Sequence, residues 1–445
     1  MYREKNDKKR KKYLIITLMI NFSLLFLFKY SVFVNETIMA VCSKFVEWYY
    51  SNLGKEEAFA KVQMFLEQYP AKDFDIILPM GISFYTFQAT SYSIDVYRNK
   101  IKPVRHYGIF SLFITFFPQL VAGPIERSSN LLPQFYKKHK FHKQNVLIGL
   151  KWMLWGFFKK IVIADRASTA VNTIYNNVGS YNGFYFVFAT ILFAFQIYCD
   201  FSGYSNIALG SAKVLGFDLI HNFDKPYLSK SIKELWRRWH VSLSTWFMDY
   251  IYIPLGGNRK GTIRKCVNLF ITFFVSGIWH GANWTFAIWG ALHGIYLVIG
   301  VLTEKVMKRI MCVLHLEHNV IWNFCSIITT FLLFSISLII FRANTITDAI
   351  YIFRHLLDDV GQWTSIQYIY EIITSMGINL YELIIIVLSI LFLMFAEIAT
   401  GKYHVIDGIE KRNCVVRMAF YVFVSVWVLS NGVFSNSGEF IYFQF

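Results

Sequence analysis

The chain has 445 residues; 55% are hydrophobic, 16% are charged, and the formal net charge is +16. A soluble domain carries about a quarter charged residues and less apolar mass, so this composition excludes an ordinary soluble globular protein. The basic residues sit in short stretches between apolar runs, as in loops that resist translocation, which argues against nucleic acid as their partner.

The residues imply one membrane domain over 1–445, with a basic cytoplasmic tail at 1–12. Arg3, Lys5, Lys8, Lys9, Arg10, Lys11 and Lys12 precede the apolar run 13–34. That run is too long for a signal-peptide core and no A-x-A site follows it. It is expected to be the first span, with the N-terminus in the cytoplasm. Residues 35–75 are richer in acids and are expected outside; 76–97 returns to a basic loop with Arg98, Lys100, Lys102 and Arg105.

The apolar stretch 107–122 contains Pro118, is closed by Gly123-Pro124, and has basic loops on both sides. A re-entrant segment resolves that conflict, because irregular backbone at membrane depth is tolerated where it packs on protein; a kinked helix is the other open reading. Residues 267–301 pose the same problem. As one straight helix they would measure roughly 50 Å, against a hydrocarbon core of about 30 Å. Arg264, Lys265, Lys305, Lys308 and Arg309 flank both sides. A hairpin or broken helix bent at 280–283 is expected, with His280 near mid-membrane.

Residues 321–341 lead out again. The acidic region 342–379 is expected outside, with Ile350, Phe353 and Leu357 on a helix lying on the membrane surface. Runs 380–398 and 414–433 complete the spans; Glu382 and Glu397, near the ends of the first, are expected in the solvated interface. The six cysteines are scattered without a CxxC pair and imply no disulfide framework. No internal repeat is visible.

Ionisable residues inside apolar segments are costly and therefore functional candidates. His280 is the foremost, because a histidine exchanges a proton near neutral pH, as acyl transfer to a hydroxyl requires; a histidine hydrogen-bonded at a helix interface is the alternative. His240 follows Trp236, Arg237, Arg238 and Trp239, where, taken alone, an interfacial histidine is the plainer reading. Asp200 has Gln196, Tyr198 and Ser202 within reach on one helix, so it belongs either to a polar network or to a substrate contact. The turn 256–261, with Asn258 and Arg259, offers amides and positive charge to a phosphate, or is simply a basic loop. Cys312, His315 and His318 share a spacing of three but lack a fourth ligand, so no metal site is expected. There is no GxSxG and no Walker A pattern.

Several motifs together resemble the membrane-bound O-acyltransferases, in the bacterial branch that contains the alginate O-acetylation membrane subunit. They are LPMGISFYTFQ at 78–88, FPQLVAGPI at 117–125, DFSGY at 200–204, the block 236–257, WHG at 279–281, FRA at 341–343 and FIYFQF at 440–445. The resemblance implies an all-α polytopic fold of about ten transmembrane helices with re-entrant and amphipathic segments. It puts the catalytic base on His280 and a second important histidine on His240. Tyr198, Asp200, Ser202, Arg238, Asn258, Arg259 and Asn283 are the further substrate-contact candidates. The implied reaction takes acetyl from a cytoplasmic donor, acetyl-CoA, with no bound cofactor, for an extracellular or cell-wall polysaccharide. A membrane-anchored or extracellular esterase-like acetyltransferase is the expected partner, and membrane lipid the surroundings. D-alanyl transfer toward teichoic acid is the nearest rival; a transporter or lipid scramblase is a rival of another class.

Overall fold

A computed structural model describes the chain except for residues 1, 3, 5, 53–63, 65–78, 80, 121–122, 317–318, 436–439 and 442–445. Every regular element among the described residues is helical. Among the described residues, seven helices are long and apolar enough to cross a bilayer: 7–50, 184–214, 261–280, 284–313, 320–342, 380–399 and 414–431. The chain is a multi-pass membrane protein.

The first helix begins at α1 (Asp7–Leu25), where Asn6 accepts from the amides of Lys8 and Lys9. It passes through a π-helical turn, Phe26–Tyr30, into α2 (Ser31–Asn52). The expected stop at residue 34 does not occur, because no glycine or proline interrupts the sequence that follows. Then come α3 (Ile82–Tyr97), α4 (Tyr107–Thr115), the single turn α5 (Phe117–Leu120) and α6 (Ser128–Phe135). α4 and α5 are too short to cross about 30 Å. The helix breaks at Phe116, whose ψ is 106°. The Phe113 carbonyl accepts instead from Gln88 Nε2 at 2.6 Å and Gln119 Nε2 at 2.9 Å. The segment is broken rather than continuous, and buried amide side chains satisfy the break.

The scaffold of the ring is the pair formed by α7 (Lys143–Phe157) with α8 (Asp165–Tyr175), joined through the π-turn Phe158–Ala164, and by α9 (Phe184–Val214). Gly149 meets Gly210 and Gly156 meets Gly203 backbone to backbone, where a Cβ would stand 2.5 to 2.9 Å from the facing carbonyl. Small residues at such crossings let membrane helices approach closely.

Two short helices, α10 (Ile232–Arg238) and α11 (Val241–Phe247), dip into the ring on either side of His240. The long hairpin is α12 (Gly261–His280) and α13 (Trp284–Val313), followed by α14 (Val320–Arg342). α15 (Ile346–His355), with a Thr345–Asp348 capping box, leaves Ile350 and Phe353 exposed, with Leu357 just beyond it exposed too, while Ile352 is buried. α16 (Ile366–Ser375), α17 (Leu380–Ala399), α18 (Val405–Glu410) and α19 (Cys414–Asn431) close the ring. Its two ends differ. Arg98, Arg264, Lys308 and Arg412 lie at one, which we call the basic end. α8, α12 and α14 all terminate at the other.

Candidate functional site

The hairpin breaks at 281–283, as its length and flanking charges suggest. α12 runs its full twenty residues, about 30 Å, and His280 is the last of them. Its position is fixed from outside the hairpin. The π-turn in the first helix presents Lys29 and Tyr30 to the last carbonyls of α12: Lys29 Nζ donates to Trp279 O at 3.0 Å and His280 O at 2.8 Å, and Tyr30 Oη donates to Ile278 O at 3.0 Å. A cation at a helix C-terminus satisfies orphan carbonyls and opposes the helix dipole. Across the hairpin, a Cβ on Gly277 would lie 2.3 Å from Phe286 O and 2.8 Å from Gly290 Cα, so the two helices touch backbone to backbone just below the histidine.

His240 is fully buried and holds a left-handed backbone, φ 44° and ψ 54°, uncommon for a residue with a Cβ. Neighbouring hydrogen bonds enforce it. Val241 N donates to Asn222 O at 2.9 Å, and Ser242 N donates to Asn222 Oδ1 at 3.2 Å. The His240 ring packs edge-on to Phe201 at 4.6 Å and meets Trp279 at 6.3 Å, while Trp279 lies 5.1 Å from the His280 ring. The two predicted histidines therefore share one tryptophan wall. His280 also contacts Trp289 at 5.1 Å and Phe341 at 5.5 Å.

The other expected contacts separate. Tyr198 donates to buried Glu397, and Asp200 is locked between Lys160, at 2.7 Å, and the amide of Ile441, at 2.8 Å. Asp200 thus belongs to a polar network rather than to an open binding surface. Ser202 is buried on the same helix. Arg238 turns away to Glu234 at 2.6 Å. Asn258 and Arg259 are exposed in the turn before α12, a helix length from His280, and do not join the site. Asn283 stands at the hairpin tip, its Nδ2 donating to Asn344 O at 3.0 Å. His318 lies outside the described residues, and among those described no cluster of three potential metal ligands occurs.

Three groups escaped the sequence reading. Glu397, expected in the solvated interface, is 2% exposed and faces Tyr198 and Lys159. Lys159 and Lys160 are both buried because the π-turn carrying them widens the helix and turns consecutive side chains inward. The signal was available: two lysines inside an apolar run. His293 accepts from Trp236 Nε1 at Nδ1, 3.2 Å, and reaches Ser337 Oγ at 2.9 Å from Nε2. The indole is only a donor, so the proton sits on Nε2, and His293 is a satisfied interface histidine.

Two cavities lie near this region, and neither His240 nor His280 lines them. One of about 20 Å³, room for a single water, is lined by Lys159, Tyr198, His221, Lys225, Glu397 and His404 toward the basic end. The other, about 310 Å³, opens at the far end above Phe341 and Phe286.

Packed membrane-length helices, a broken hairpin and two buried histidines sharing one tryptophan wall define a polytopic membrane protein with a buried polar centre. The chain belongs to the membrane-bound O-acyltransferase family, whose model matches residues 104–341. It is 39% identical over 316 residues to a protein named probable alginate O-acetylase in Azotobacter vinelandii, covering 71% of this chain and 60% of that one. It is 32% identical over 308 residues to the peptidoglycan O-acetyltransferase of Helicobacter pylori, covering 63% and 57%. It is 32% identical over 235 residues to a teichoic acid D-alanyltransferase of Streptococcus thermophilus, covering 49% and 56%. The chain thus spans roughly half to three-fifths of the length of the curated relatives it matches.

Proposed function

We propose that this protein is a membrane O-acetyltransferase that takes acetyl from acetyl-CoA at the basic, cytoplasmic end and delivers it for O-acetylation of an extracellular or cell-wall polysaccharide. The observation that carries the reading is the placement of His280: buried at the tip of a helix hairpin and sharing Trp279 with His240. In this reading an imidazole nitrogen of His280 takes the proton of the acceptor hydroxyl as its oxygen attacks the thioester carbonyl. The C–S bond then breaks, and the departing thiolate takes that proton back. His240 orients the reacting groups or stabilises the charge that develops on the carbonyl oxygen. A membrane-anchored or extracellular esterase-like protein carries the acetyl onward to the polymer. The N-terminus, at the basic end, faces the cytoplasm.

The test compares O-acetyl esters on surface and secreted polysaccharide in cells carrying His280→Ala and the wild type at equal membrane levels. Loss of the esters is expected. Unchanged esters remove His280 from the mechanism. Loss of D-alanyl esters instead favours the second reading, D-alanyl transfer, which the match to teichoic acid D-alanyltransferases supports.

A further inference from the structure

Two loops at the basic end, 98–107 and 136–143, emerge side by side. Val104 from the first and Phe135 at the root of the second pack on one apolar cluster, together with Tyr92 and Phe217. Val104 N donates to Tyr92 Oη at 2.9 Å. The second loop is held in shape: His139 Nε2 donates to the Gln134 carbonyl at 2.8 Å, and its ring lies 4.2 Å from that of Phe217. Arg98 and Lys100, at the root of the first loop, are engaged with Asp249 O and Asp95. Lys102, Arg105, Lys137, Lys138, Lys140 and Lys143 are exposed, and none makes an ion pair with a described residue. Between Asp95 and Asp165 the single acid is Glu126, which is buried. Asp218, which Gln134 holds beside the second loop, is paired with Lys213 at 2.7 Å. Elsewhere Lys151, Arg238 and Lys308 each find an acid on the chain.

The same loops display aromatic rings. Tyr107 and Phe141 are each 82% exposed, and Tyr136 is 60% exposed. Cations that only keep a loop from crossing a membrane need no aromatic side chains among them. A bare ring in water forgoes the gain of burial, whereas the headgroup boundary suits it. Leu112 and Phe117 beyond the first loop are exposed, as are Leu147 and Leu150 beyond the second. The loops therefore stand at the rim, where the helices meet lipid. We propose that these two loops form a binding site for anionic phospholipid. The six cations hold its phosphate and negatively charged headgroup, and Tyr107, Tyr136 and Phe141 seat at the level of the glycerol. A zwitterionic headgroup offers the same phosphate but brings its own cation, which this cluster repels. Each Lys or Arg near an anionic membrane surface contributes about fivefold in affinity. The binding is independent of acyl transfer.

The experiment uses the full chain in detergent, with native mass spectrometry reading the lipid retained. The probes are dioleoyl phosphatidylglycerol and dioleoyl phosphatidylcholine in equal amounts. The wild type is expected to retain the glycerol lipid at least about tenfold over the choline lipid, from a few such cations. Lys137, Lys138, Lys140 and Lys143 changed together to Gln should bring that ratio to within about twofold, with an unchanged thermal midpoint. The same four changed to Arg should keep it. A control removes as many exposed charges at the same end: Lys260→Gln, Arg264→Gln, Lys305→Gln and Arg309→Gln together should leave the ratio as in the wild type. Phe141→Ser, with every charge intact, should lower retention of both lipids. Equal retention of the two lipids by the wild type would overturn the proposal, and so would a control variant that loses the preference as fully as the loop variant does. Displacement of the lipid by soluble glycerol phosphate would make this a site for a free anion and overturn it too. So would a loop that crosslinks in cells to an acidic protein while showing no preference among lipids, which makes it a protein face.

Discussion

Lys29 Nζ lies 2.8 Å from the backbone carbonyl of His280, although the two residues are 251 positions apart. The contact ties the first helix to the tip of the α12–α13 hairpin and holds the histidine's own peptide. Replacing Lys29 with Met removes two charge-assisted bonds and leaves the carbonyls of Trp279 and His280 without that donor. The expected cost is about 2 kcal/mol of stability, from the usual value of hydrogen bonds to charged groups. Thermal unfolding in detergent checks this, and ester formation should fall more than the amount of folded protein does. Lys29→Arg, which keeps the charge, should recover part of both.

The crossing of α12 and α13 makes a separate prediction. An alanine at Gly277 places its Cβ 2.3 Å from Phe286 O, a backbone atom that cannot move without opening the hairpin. Overpacking of this kind costs about 1–3 kcal/mol, and here it also shifts His280 three residues away. Gly300 lies on the same α13 helix with nothing within 4 Å of a Cβ. Gly300→Ala should therefore be neutral or slightly stabilising, by the helix preference of alanine. Ester formation per folded molecule separates the two: reduced for Gly277→Ala, unchanged for Gly300→Ala.

Much of this architecture was legible in the sequence. The hairpin at 280–283 followed from a run too long for one crossing and from basic residues on both sides. The break between 115 and 117 followed from Pro118 in an apolar run. His240 and His280 stood out as ionisable groups in apolar surroundings. Direction was what the pattern did not carry. Lys29, Lys159 and Lys160 all ride on π-turns, which alter the facing of side chains without changing composition, and a strict 3.6-residue period misplaces them. Glu397 read as a helix-end acid because the partners that keep it buried, Tyr198 and Lys159, come from helices about two hundred residues earlier. The first helix outran its expected end because residues 35–52 contain polar groups but no breaker.

The buried Lys160–Asp165–Asp200 cluster yields the third prediction. Lys160 Nζ is 2.7 Å from a carboxylate oxygen of each acid, and all three side chains are at most 7% exposed. Removing the lysine as Lys160→Met leaves two acids facing each other without their shared cation. Breaking a buried pair in this way costs about 3–5 kcal/mol, enough to abolish accumulation of folded protein. Asp200→Asn retains an oxygen for the Ile441 amide and leaves Lys160 paired with Asp165, so it should be much milder. Fluorescence-detected size-exclusion of tagged protein reads both. A Lys160→Met protein that accumulates normally would show the cluster to be dispensable for folding.

His221 and His404 supply the pH dependence. Their rings stack 4.0 Å apart with 16° between planes, at the basic end beyond the spans. Burial is the main cause that lowers both, with His404 reaching about 4, where the His221 ring adds to the shift. Asp224 opposes the shift at both rings, Asp407 opposes it at His404, and Lys225 adds to it there. A histidine whose folded pKa lies below its unfolded value near 6.5 binds fewer protons when folded. Its contribution is fully present above pH 6.5 and is lost as pH falls toward 4. Thermal stability in detergent should therefore drop between pH 7 and pH 5. His404→Gln, which cannot take up a proton, should flatten that slope while leaving the stability at pH 7.5 within about 1–2 kcal/mol of wild type, the range expected for an altered half-buried contact. A slope as steep in His404→Gln as in the wild type would locate the acid sensitivity elsewhere.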